Sequence, residues 1–135
     1  MRKIEFRGKQ IYNGKWVYGY LMQMYSHDRL FIGEWKNIGG EASIKDELFS
    51  SYNEVVPKTI GQFTGVKAIN AVKIFEGDKV DIVSKLIMCT ENGKKGIVKF
   101  IESGFYVDTG KELIPCWSDS YQLIIIGNIH NTTKL

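Results

Sequence analysis

Glu76, Asp78 and Asp81 form the acidic constellation of this chain. Carboxylates in unlike environments can divide general acid and general base work, or hold a hard cation. In Phe75-Glu76-Gly77-Asp78, however, a glycine and an aspartate open a strand, which is also how a plain tight turn is written, with the aspartate bonding its own backbone. The turn is the preferred reading. His27 beside Asp28 pairs a base with an orienting acid, yet a catalytic pair needs a third partner and a pocket. Ser26-His27-Asp28 reads as a solvated turn. Cys89 and Cys116 form no Cys-x-x-Cys and have no histidine at ligand spacing. Cys89, in Ile87-Met88-Cys89, reads as a small buried hydrophobe. Cys116, between Pro115 and Trp117, fits either core or surface, and two lone thiols suit a reducing compartment better than a disulfide. No Ser-His-Asp arrangement, phosphate-cradling glycine loop or zinc spacing is written anywhere. The expectation is a protein that is not an enzyme and takes no cofactor and no metal.

These residues sit in 135 positions, enough for one domain that buries roughly two thirds of its unfolded surface without staples. Hydrophobic content of 44%, with 13% aromatic and 24% charged residues, excludes disorder. Eighteen basic against fifteen acidic residues give +3, a mild excess that permits weak attraction to nucleic acid without arguing for it. The opening Met1-Arg2-Lys3-Ile4-Glu5-Phe6 holds no apolar stretch of signal-peptide length. The runs Leu86–Met88 and Leu123–Ile126 are far shorter than a membrane span. A soluble, cytoplasmic protein with no membrane partner is expected.

The elements that must carry the residues read as strands. Lys3 to Arg7 alternates Ile4 and Phe6 against charged neighbours, and Gly8 breaks it. Asn13-Gly14 signals a type I′ hairpin into Lys15–Tyr25. There Trp16, Tyr18 and Tyr20 share a face, opposite Val17, Gly19 and Leu21. Both faces are apolar enough for a central strand, or for one covered on both sides. An aromatic face of this kind can stack bases, but no arginine or lysine is interleaved along the strand, so core or subunit packing is preferred. Arg29–Trp35 reads as a strand, and Ile44–Tyr52, capped by Ser43, as a short helix. Further strands are expected at Thr59–Thr64, Lys73–Phe75, Lys79–Ser84 continuing through Cys89, Gly96–Ile101, Phe105–Asp108 and Leu123–Ile129. Asn92-Gly93 is a second hairpin turn, and Gly127 a bulge in the last strand. The fold expected is mainly β, antiparallel strands in a small barrel or sandwich with at most one or two short helices. If the chain divides, the seam lies in Gly65–Val72, between an N-terminal β lobe, 1–65, and a barrel-like C-terminal lobe, 73–135.

Three segments carry a likeness: Ile4-Glu5-Phe6-Arg7-Gly8-Lys9 through Gly14-Lys15-Trp16-Val17-Tyr18-Gly19-Tyr20; Ile60-Gly61-Gln62-Phe63-Thr64-Gly65 with Ile74-Phe75-Glu76-Gly77-Asp78; and Ile126-Gly127-Asn128-Ile129. Together they resemble the YopX family of bacteriophage and prophage proteins, over nearly the whole chain. The resemblance implies a small, mostly β protein of phage or prophage origin, often a homo-oligomer, in the host bacterial cytoplasm. It carries no catalytic residue across. The chain departs from the family pattern where Ala68 replaces an acid, where Asn70-Ala71-Val72 replaces an Asn-Gly turn, and where His130-Asn131-Thr132-Thr133 replaces Asp-Asn-Pro. Alanine is costly at positive φ, which argues against a type I′ turn there and leaves Ile69 and Val72 to be buried in a lobe or subunit contact.

Two functional classes follow. The preferred one is a structural or protein-interaction module that self-associates, packing through Trp16, Tyr18, Tyr20, Ile69 and Val72, its other protein partner unknown. The alternative is a nucleic-acid-binding accessory with a weak basic patch, Lys94, Lys95, Lys99 and Lys111.

Overall fold

Short strands separated by turns dominate the computed structural model, which describes residues 3–24, 29–33, 52–85 and 90–131, with only the backbone of 90–93. The strands are β1 (Phe6–Lys9), β2 (Trp16–Gln23), β3 (Leu30–Gly33), β4 (Tyr52–Val55), β5 (Gly61–Lys67), β6 (Lys73–Phe75), β7 (Asp78–Ser84), β8 (Thr90–Ile101), β9 (Gly104–Asp108), β10 (Leu113–Pro115) and β11 (Tyr121–Asn128). A 3-10 turn at Pro57–Thr59 is the helical element among the described residues. None of their helices is long and apolar enough to cross a membrane. The mainly β, antiparallel reading holds. The expected helix over Ile44–Tyr52 lies outside the described residues but for its last, Tyr52, which starts β4. Ser26-His27-Asp28, Trp35 and Cys89 also lie outside them. The chain divides into two compact units, Lys3–Gln62 and Phe63–Leu135.

In the first unit β2 lies between β1 and β3, and β4 follows β3, all antiparallel. The end of β4 also bridges back to Gln10, flanked by Ile11 N–H to Glu54 C=O (3.0 Å) and Val56 N–H to Lys9 C=O (2.8 Å). This curls the sheet without closing it into a barrel. Its interior is fully buried Ile32 and Val55. Gly8 does not break β1; it lies inside it, opposite Val17, where a Cβ would come within 3.1 Å of both Ile32 and Val55. A strand glycine here marks close approach of neighbouring side chains.

The first strand's faces are the reverse of those expected. Ile4 is 53% exposed, whereas Glu5 and Arg7 are buried. Two-residue alternation gives two equivalent faces; the one chosen here sets the Arg7 guanidinium over the Trp16 ring. Asn13-Gly14 does belong to a hairpin loop, but not to a type I′ turn. Gln10 N–H meets Lys15 C=O at 2.9 Å, so the loop has four residues, and Gly14 (φ +69) is left-handed while Asn13 is not.

The second unit holds a five-stranded antiparallel sheet in the order β10-β9-β8-β7-β11, with open edges at β10 and β11, so it is not a barrel. Its core gathers Ile74, Val80, Ile82, Val98, Val107 and Leu123, with Ala68 and Cys116. Each large aliphatic side chain buried this way contributes about 1.5–3 kcal/mol. The expected bulge is present: the β11–β7 register shifts between Ile125 and Gly127. The expected turn at Asn92-Gly93 is not. β8 runs straight through it, and the β7–β8 register shifts between Asp81↔Lys95 and Val83↔Thr90. Four residues, 91–94, then oppose the single Ile82, so the pair lies in a bulge. β10 had no clear periodic signal, being only three residues long.

The β5–β6 connection resolves the question of Ala71. Ala68 C=O accepts the Ala71 N–H at 2.9 Å, and Ala68 N–H donates to Val72 C=O at 2.7 Å. That is a three-residue loop, Ile69 to Ala71, whose last residue is left-handed (φ +67). A type I′ turn is indeed not made, yet the positive φ falls on alanine where glycine is favoured. Replacing Ala71 by glycine should stabilise the fold by about 0.5–1 kcal/mol, after the entropy that glycine adds to the unfolded chain. A melting temperature raised by about 2–4 °C is the expected reading, and a lowered one refutes the left-handed assignment.

Candidate functional site

The lysines expected to form a basic patch face carboxylates. Lys94 lies 3.3 Å from Glu112, Lys95 3.9 Å from Asp81 and Lys99 2.8 Å from Asp108. Antiparallel pairing sets Asp81 directly opposite Lys95, and Asp108 one step diagonally from Lys99. The Lys99 ammonium, with the Gly110 N–H, holds the Asp108 carboxyl below its ordinary value. The 3.9 Å contact leaves Asp81 Oδ1 without a hydrogen bond, so it is an electrostatic neighbour only. Lys111 is exposed, in the loop between β9 and β10.

The aromatic strand is central but not covered on both sides. Tyr18, Tyr20 and, on the opposite face, Leu21 are exposed, and Trp16 is half-buried. Cations do interleave with this face, from the neighbouring strand: β1 register sets Lys9 opposite Trp16 and Arg7 opposite Tyr18. The Arg7 guanidinium lies 4.7 Å, and the Lys9 ammonium 5.4 Å, from the Trp16 ring centre. A linear reading of β2 could not show this. Arg29 lies 5.3 Å from the centre of the Phe31 ring and is held by Glu54 through two hydrogen bonds, 2.9 and 3.2 Å. Those bonds lower the Glu54 carboxyl and raise the Arg29 guanidinium from their ordinary values. Within the chain Ile69 and Val72 are exposed rather than packed in a lobe contact, and the Ile69 N–H donates to the Leu123 carbonyl at 3.0 Å.

Two clefts in the second unit share Val66, Cys116 and Trp117. One, about 480 Å³, is also lined by Thr64, Phe100 and Glu102. The other, about 370 Å³, is lined by Lys67, Lys85, Ser118, Tyr121 and Gln122 among others. Cys116 is a buried free thiol, which decides the open reading in favour of core. Burial pushes it up to about 12, so it stays protonated at neutral pH and is no nucleophile. Trp117, its neighbour, points the other way in burial: it is 68% exposed.

The loop bearing Trp117 is braced on several sides. Cys116 N–H donates to Phe105 C=O (3.2 Å), Lys85 N–H to Ser120 C=O (3.0 Å), and the Lys85 ammonium to Ser118 C=O (3.1 Å). The Tyr121 hydroxyl donates to Pro115 C=O at 2.6 Å, and burial raises that phenol above its ordinary value. In the sequence Trp117 stands out only as a neighbour of Cys116. The one signal it offered was an indole beside a polar run, Ser118-Asp119-Ser120.

Of the acidic constellation, Asp78 is 2% exposed and its carboxylate accepts the Phe75 N–H at 2.8 Å. That is the turn role. Gly77 (φ +90) sits between them, its N–H on Val98 C=O and its C=O receiving the Ile129 N–H, both 2.9 Å. Asp78 pairs with Asn128, whose side-chain oxygen accepts the His130 and Asn131 N–H groups. The segments around residues 74–78 and 126–129 therefore meet in one corner of the second unit. The family model for YopX protein matches residues 5–135. No curated protein matches the chain.

Proposed function

We infer that this chain, which belongs to the YopX family, is a phage- or prophage-encoded, non-enzymatic structural or protein-interaction module that self-associates in the host cytoplasm. The observation that carries the reading is the open edge of β11. That strand runs through Leu123-Ile124-Ile125-Ile126 and pairs with β7 on one side. On its other side the described residues supply the Ile69 N–H, at Leu123. A long apolar edge is a ready template for another strand. The opposite edge, β10, is short and ends on Pro115, which has no N–H to offer. Ile69 is 38% and Ile126 48% exposed along the β11 edge. Antiparallel pairing of β11 with its copy would cover Ile126 and give a two-fold, self-complementary contact. The exposed Tyr18 and Tyr20 of β2 offer a further packing face.

The carboxylate and thiol that could have served chemistry support the non-enzymatic reading, since Asp78 holds a turn and Cys116 is protonated and buried. The alternative of a nucleic-acid accessory working through Lys94, Lys95, Lys99 and Lys111 has less support, because three of the four face carboxylates. Sedimentation of the native chain should show an oligomer across a wide concentration range, and the pair Ile69→Glu with Ile126→Lys should dissociate it while leaving the β spectrum unchanged. A native monomer throughout, or an undisturbed oligomer in the double variant, sinks the reading.

A further inference from the structure

The cleft beside Trp117 has features that self-association at β11 does not use. Lys67, at the end of β5, and Lys85, just after β7, line it together, and no carboxylate is among its lining residues. Among the described residues no carboxylate lies within ion-pair reach of either ammonium, in contrast to Lys94, Lys95 and Lys99. Two lysines on one cleft with no carboxylate in its lining suit an anion.

The cleft's third wall is the exposed indole, and it is held rather than frayed. The loop from Pro115 to Ser120 is tied to Phe105, to both the backbone and the ammonium of Lys85, and to Tyr121. A large aromatic surface left in water on a braced support is pre-organised for a flat partner. Ser118 and Gln122 add a hydroxyl and an amide at the same cleft, groups able to meet the edge of a base. At about 370 Å³ the space falls in the range of small-ligand sites. The sister cleft shares the indole but adds Glu102 and exposed Phe100, so it does not favour an anion.

We propose that the Lys67–Lys85–Trp117 cleft binds a nucleotide unit, the base stacked on the Trp117 indole and the phosphate held by the two lysines. The unit is a free nucleotide or one residue of a single strand; the chemistry is common to both. Lysine holds phosphate as a point charge, and stacking on an aromatic tolerates any base.

The test uses the full chain with three probes at low salt: adenosine monophosphate by calorimetry, a labelled fifteen-residue oligothymidylate by anisotropy, and inorganic pyrophosphate as competitor. Binding of either nucleotide probe should weaken about tenfold or more in Trp117→Ala, a change at an exposed side chain. For the oligonucleotide, Lys67→Gln with Lys85→Gln should also flatten the dependence of log affinity on log salt by about 0.7, one phosphate neutralised on a single strand. Lys94→Gln with Lys99→Gln should leave it unchanged. The monophosphate binding as well as the strand assigns a free nucleotide; the strand alone binding assigns a single-stranded nucleic acid. No binding of either, equal binding by Trp117→Ala, or a failure of pyrophosphate to compete overturns the proposal. So does a Trp117→Ala chain that loses its oligomeric state while keeping nucleotide affinity, which would make the indole a protein contact. The Ile69 and Ile126 variants separate this result from self-association, since neither side chain lines the cleft.

Discussion

A Gly96→Val chain is expected to lose about 3 kcal/mol of stability or more. A Cβ at Gly96 would lie 2.6 Å from the Asp108 carbonyl oxygen, 2.8 Å from its carbon and 2.6 Å from Val107 Cγ1. Two of those atoms are backbone of β9, which pairs with β8 on one side and β10 on the other. Neither strand can step aside without breaking its own ladder. Overpacking a well-filled site costs about 1–3 kcal/mol when side chains can adjust, and more when they cannot. Val107, the other neighbour, is fully buried in the core of the second unit. In urea the midpoint should fall by about 1–2 M for a chain of this size. Gly110 supplies the control: it has φ +89 but open space around a Cβ. Gly110→Ala should show only the left-handed penalty, about 1–2 kcal/mol. If Gly96→Ala costs no more than Gly110→Ala, crowding at Gly96 is not what the residue is for.

Gly96 also shows where sequence reading reached and where it stopped. Strand ends at Lys73–Phe75, the Gly127 bulge and the tight turn at Asp78 were legible because each depends on neighbours within a few residues. The bulge falls at a glycine, and the turn's acceptor stands three residues from its donor. The faces of β1 were not legible. Ile4 and Phe6 alternate with Glu5 and Arg7, and only contact with Trp16 and the curled sheet decides which pair turns inward. Asn92-Gly93 has the residues of a hairpin turn, yet the longer pairing of β7 with β8 absorbs it as a bulge. Tertiary pairing outweighs a two-residue preference here.

The candidate sites were hidden for the same reason. The cations at Trp16 come from a different strand, and the fold's register alone brings them there. Lys67, Lys85 and Trp117 are scattered along the sequence and share no motif; the β7–β11 pairing and the braced 115–120 loop bring them to one cleft. Conversely, Lys94, Lys95 and Lys99 look like a patch in one dimension, and the fold sets a carboxylate beside each of them in three. Short-range chemistry was readable. Which side chain is opposite which, two strands away, was not.

Asp78→Ala is expected to lower stability by about 2–4 kcal/mol, and Asp78→Asn by distinctly less. The Asp78 carboxylate is nearly inaccessible and accepts the Phe75 N–H at 2.8 Å, closing the turn between β6 and β7. Removing it leaves a buried donor without that acceptor, a loss of about 1–3 kcal/mol, and a hydrogen bond to a charged group lies at the upper end of such values. The turn is also tied at Gly77 to Val98 and Ile129, so loosening it strains contacts with both β8 and the end of β11. Asparagine keeps a side-chain oxygen for the Phe75 N–H, which is why its cost should be smaller. Asp81→Ala is the comparison: its carboxylate has only the 3.9 Å approach of Lys95, and such pairs contribute little. Thermal melts should therefore separate the three, with Asp78→Ala lower by roughly 10 °C and Asp81→Ala close to native. Were the acidic constellation a working site instead of a turn, Asp78→Ala would fold as well as the native chain. The corner where residues 74–78 meet 126–129 would then need another explanation for a carboxylate held out of water.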